Sequence, residues 1–106
     1  MTTSFDSLPN KKKIEFWQTV EEKISAVLLT CVSHIAESVV NEVREYLGHN
    51  EFGLAWESLC DGIIQSGVKP EKKTQLLMLE IGSVMGCNQQ DSFHHNTWKQ
   101  VVAFFG

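Results

Sequence analysis

The chain has 106 residues, of which 42% are hydrophobic and 21% charged, the proportions of one globular domain with a single modest core. Its net charge of −4 argues against nucleic acid as a partner, and no run reaches the roughly 18 apolar residues of a membrane span. The start, MTTSFDSLPNKKK, lacks the hydrophobic segment of a secretory signal, so the expected compartment is the cytoplasm.

Residues 1–10 are polar and read as a short arm that packs Phe5 or Leu8. From Lys11, apolar residues at Trp17, Val20, Ile24, Val27, Leu28 and Cys31 recur at helical spacing. The pattern resumes through Ile35, Val39, Val43, Tyr46 and Leu47, which predicts helices over 11–31 and 34–47 with Gly48 as the stop. Much of this stretch is β-branched, but its spacing of three and four excludes strands.

The third helix follows Asn50, a residue type that caps helices, with Glu51 at the positive end of the dipole and Gly67 able to end it in the left-handed conformation. Phe52, Trp56, Leu59, Cys60 and Ile63 share one face, which predicts a helix crossing the middle of the core. Glu57 and Asp61 lie on the opposite face with Leu54 beside them. Pro70 fits the first turn of a fourth helix, and Leu76, Leu77, Met78, Leu79, Ile81, Val84 and Met85 surround so much of its cylinder that it should be the most enclosed. Gly86 ends it. CNQQDSFHH (87–95) is turn-like, and Asn96 is the expected cap of a last helix bearing Trp98, Val101, Val102 and Phe105. The expectation is one all-α domain of about five helices with short loops.

Candidate chemistry is sparse. Cys31, Cys60 and Cys87 are odd in number, lie at or beside apolar positions, and lack the spacing of a zinc site or redox pair, which points to reduced, buried thiols. His94 and His95, with Cys87 or His49, could ligate a metal, but neighbouring histidines on a helix diverge by about 100°. They read better as loop residues before the last helix, and His34 as a partly buried, hydrogen-bonded side chain. The glycines never cluster into a phosphate-binding loop, and no cysteine or serine sits in a recognisable His–acid framework. No catalytic residue, metal or cofactor is predicted. A small metal-dependent enzyme using His94, His95 and a carboxylate is the reading that metal analysis would separate from this one.

Charge is more informative. Residues 37–61 hold six acids against Arg44 alone, a balance of −5, whereas the flanking segments nearly cancel. Glu37, Glu42 and Glu45 are assigned to the side of their helix away from Val39, Val43 and Tyr46. With Glu57 and Asp61 on the next helix, they could form a patch that speeds capture of a basic protein. Leu54 would supply an apolar anchor.

The run His49-Asn50-Glu51-Phe52-Gly53-Leu54-Ala55-Trp56-Glu57-Ser58-Leu59-Cys60-Asp61 resembles a segment of the small all-helical bacterial immunity proteins of contact-dependent inhibition and polymorphic toxin systems. In these a turn leads into a helix of the form aromatic-x-x-Ala-x-Glu-x-Leu-x-Asp, matched here by Glu51, Phe52, Ala55, Glu57, Leu59 and Asp61. The resemblance covers about 15 residues of the chain's 106. It implies a cytoplasmic antitoxin that binds the toxic C-terminal domain of a cognate effector, often a nuclease, in a 1:1 complex. The alternative is a helical adaptor or regulatory module unrelated to toxins.

Overall fold

The computed structural model describes residues 10–106, so the expected packing of Phe5 or Leu8 lies outside the described residues. Five helices follow in order: α1 (Asn10–Cys31), α2 (Glu37–Gly48), α3 (Phe52–Ser66), α4 (Lys72–Val84) and α5 (His95–Phe105). No strand occurs among the described residues, and they form one all-α domain. No helix among them is long and apolar enough to cross a membrane.

The stripe of α3 makes it the central helix. Phe52, Ala55, Trp56, Leu59, Cys60, Gly62 and Ile63 are all buried, and each of the other four helices packs on it. Trp56 is fully buried, and its Nε1–H donates to the backbone oxygen of Met78 at 2.9 Å. The indole lies so close to α4 that a Cβ on Gly82 would stand 2.6 Å from its Cζ2. On its far side Trp56 stacks on Trp98 of α5 at 6.4 Å. Near the start of α3, Phe52 stacks on Trp17 of α1 at 5.2 Å. Gly62 gives α2 the same close approach, since a Cβ there would be 2.6 Å from Val39 Cγ1.

The ends of the helices differ from several expectations. Asn50 does not cap α3; it sits in the left-handed region at φ 57°, and Glu51 is the boundary residue, whose side chain makes no capping hydrogen bond. Asn and Asp tolerate that conformation, so the turn from α2 uses Asn50 for its backbone. Asn96 lies inside α5, whose boundary residue is His94. Pro70 stands before α4, not in its first turn, and its carbonyl accepts from Gln75 Nε2 at 2.8 Å. Helix α2 begins at Glu37, because 32–35 form a turn closed by the His34 amide on the Cys31 carbonyl. His34 is exposed, not partly buried.

Helix α4 is not the most enclosed. Met78 and Ile81 are fully buried, but Leu76 is 56% exposed and Val84 46%. Four consecutive apolar residues, Leu76 to Leu79, span the whole circumference, whereas α1, α3 and α5 cover only part of it. Gly67 and Gly86 do end α3 and α4 with φ of 70° and 80°. At Gly86 the two bonds of a Schellman close form: the Gly86 amide donates to the Ser83 carbonyl at 3.0 Å and the Cys87 amide to the Gly82 carbonyl at 2.8 Å.

Candidate functional site: the carboxylate face of α2 and α3

Along α3, Leu54, Asp61 and Gln65 lie opposite the buried stripe, and Ser58 and Glu57 flank them on either side. Ser58 and Gly62 share the flank that α2 covers, and Gly53 and Glu57 share the flank approached by the loop before α5. The outward strip of α3 therefore runs between α2 and that loop.

On the α2 side, Ser58 Oγ donates to Glu42 Oε1 at 2.9 Å. This places Glu42 on the flank facing α3, beside Tyr46, and not on the side away from Tyr46 that the sequence suggested. Residues four apart on a helix share a face, and Glu42 and Tyr46 obey that rule. Partial burial, then Glu42, then the more distant Glu51 and Glu45, push the Tyr46 phenol above its usual range. Asp61 is half-buried; desolvation first, then Glu57 and Glu42, push its carboxyl above 3.8. Val39, Glu42, Ser58, Asp61, Gly62 and Gln65 line a shallow hollow of about 200 Å³ along the seam.

On the other side, His94 Nδ1–H donates to Glu57 Oε2 at 2.5 Å. The imidazole sits over the helix where Gly53 leaves room; a Cβ on Gly53 would be 2.5 Å from His94 Nε2. His95 turns the other way, with Nδ1–H directed at the Cys87 carbonyl at 3.3 Å, so the two histidines do not converge. Among the described residues no group of three or more His, Cys, Asp or Glu side chains is placed to hold a metal ion.

Of the residues singled out in the sequence, the fold thus gathers Glu42, Glu57 and Asp61 on one surface, with Leu54 half-buried on the same outward strip. Glu45 is exposed and close enough to act on Tyr46. Glu37 is exposed at the first turn of α2, about 140° around the helix from Glu42, and is not part of the cluster. Glu57 is already engaged by His94, so it does not present a free carboxylate.

Phe93 is the residue that sequence reasoning passed over. It is 86% exposed, the most exposed of the large hydrophobic side chains among the described residues, and its ring meets His94 edge-on at 5.3 Å. The signal was present, because Phe93 is the one large apolar side chain in the polar stretch 87–95 and belongs to no helical stripe.

Cys31, Cys60 and Cys87 are free and buried. Burial pushes all three thiols up, Cys60 well above its usual value and Cys87 to about 11, so they stay protonated and poorly nucleophilic at neutral pH. No protein-family model, curated protein or solved structure matches this chain.

Proposed function

We propose that this chain is an immunity protein that inhibits by stoichiometric binding, masking the basic active-site cleft of a cognate toxin domain, most simply a nuclease. The observation that carries the reading is the juxtaposition of Glu42 and Asp61 across the α2–α3 seam, with Glu57 alongside. A nuclease cleft must attract phosphates, and a strip of carboxylates held at fixed spacing can occupy the same positions. Desolvation, then Glu57 and Glu42, raise the proton affinity of Asp61, so the isolated chain holds this carboxylate in an unfavourable setting that a cationic partner would relieve. The segment Glu51–Asp61 that resembles helical immunity proteins supplies Asp61 of this strip, with Glu57 engaged by His94 beside it. Binding of this kind needs no reaction by the chain itself, and an interface of about 1,200–2,000 Å² in total would hold it.

The test is co-purification of the tagged full chain with the polypeptide encoded immediately upstream, followed by assay of the complex against RNA and DNA. A nuclease activity that appears only when this chain is removed is the expected result. Glu42→Lys with Asp61→Lys should slow association at least tenfold and abolish protection. A well-folded complex whose assembly ignores both reversals would remove the electrostatic basis of the proposal.

A further inference from the structure

We propose that Phe93 is the apolar anchor of the carboxylate face, and that Glu57 acts as its positioning residue, working through His94, not as a contact to the partner. This rests on the reading of the α2–α3 face as a protein-binding surface, and it replaces Leu54 as the anchor.

Phe93 is exposed, with its ring edge-on to His94, yet its backbone is tied by hydrogen bonds on both sides. The loop that carries it leaves α4 through the Schellman close at Gly86, with Cys87 fully buried. Successive turns follow: the Gln89 amide bonds the Gly86 carbonyl, Ser92 the Gln89 carbonyl, and His95 the Ser92 carbonyl, at 3.0, 3.0 and 3.1 Å. Ser92 Oγ accepts from the His94 amide at 3.1 Å, and His95 Nδ1 ties the neck of the loop to Cys87. His94 then fixes the loop to α3 by its bond to Glu57 and its seat over Gly53. An exposed aromatic ring on a backbone restrained in this way loses little freedom on binding, which is the condition under which one side chain contributes heavily to affinity.

The occupant this arrangement fits is a folded protein whose basic surface surrounds an apolar pocket. Phe93 would enter the pocket. Glu42 and Asp61, on the other side of His94 and Glu57, would meet the cations at its rim. Leu54 is half-buried on α3 and offers less surface than Phe93.

Two experiments on the full chain test the two parts. Hydrogen exchange of the amides of residues 88–94 should quicken at least fivefold in Glu57→Ala and in Gly53→Ala, while the thermal midpoint of Gly53→Ala stays level or rises. Unchanged exchange in both variants would overturn the positioning role without reference to any partner. Affinity for the upstream-encoded polypeptide should fall at least tenfold in Phe93→Ala, a change that leaves the core intact, and severalfold in Gly53→Ala. If the wild type binds and Phe93→Ala binds equally well, the anchor is wrong while the carboxylate reading stands. If the wild type itself does not bind, that reading falls and the anchor with it.

Discussion

Asp61 shows how the candidate face reports on itself at the level of one residue. Its carboxyl is raised above 3.8 by desolvation, then by Glu57 and Glu42, so the folded chain retains a proton at pH values where the unfolded chain has lost it. Stability therefore falls as pH rises from 3.8 through the raised value, and the loss persists at neutral pH. Asp61→Asn should stabilise the chain at pH 7 by about 0.2–0.5 kcal/mol, the scale of a like-charge pair four residues apart on a helix. In urea melts across pH that gain should vanish below the ordinary carboxylate range. A gain that is constant with pH would mean that the carboxylates do not act on one another. Glu57 belongs to the same scale of argument. Its spacing from Asp61 is visible in the sequence, but its partner His94 lies 37 residues away and no periodicity connects them. Phe93 stands out by composition in its polar loop, but its exposure is not legible there, since a loop has no repeat against which to judge whether a ring points inward.

Among the elements, the stripes of α1 and α3 were legible because each covers one side of its helix, and the 3.6-residue period then reports burial directly; in α5 Val101 is buried as that period predicts, but Val102 is 41% exposed. The apolar run of α4 gave the opposite inference from what packing allows. A helix apolar on every side needs neighbours on every side, and a bundle of five short helices leaves Leu76 and Val84 uncovered. Cap residues misled too. Asn50 and Asn96 have the right chemistry, but turn geometry spent one on a left-handed backbone and placed the other inside its helix. The closeness of α4 to α3 was legible in neither sequence segment, because it depends on Gly82 lying beneath Trp56. Gly82→Ala should destabilise the fold by about 1–3 kcal/mol through overpacking, even though alanine favours helix by roughly 1 kcal/mol over glycine. Gly48→Ala, with nothing within 4 Å of its Cβ position, is the matched control and should be neutral or slightly stabilising. Equal denaturation midpoints for the two variants would show that the contact between Trp56 and Gly82 is loose.

The whole molecule is electrically lopsided. The excess acid lies in residues 37–61, the segment that forms α2 and the first part of α3, while Lys69, Lys72 and Lys73 stand near the start of α4. An uneven field of this sort orients an approaching cationic protein before contact. Association with a basic toxin domain should therefore slow steeply between about 0.01 M and 0.15 M salt, as the screening length shrinks from about 30 Å to about 8 Å. Dissociation should change much less, and stopped-flow mixing separates the two rates. An association rate indifferent to salt would assign recognition to shape and apolar contact alone. The attachment of α2 bears on the same encounter. Among the described residues its one substantial interface is with α3, with Val39 over Gly62 and Val40, Val43 and Leu47 buried, whereas α1, α4 and α5 also hold contacts that bypass it. Opening that single seam would separate Glu42 from Asp61 and leave the remaining helices joined, which would couple the proposed recognition surface to a local unfolding equilibrium. Its apparent affinity is the intrinsic affinity scaled by the fraction of molecules with the seam shut, and a partner that bridges the seam raises that fraction as it binds.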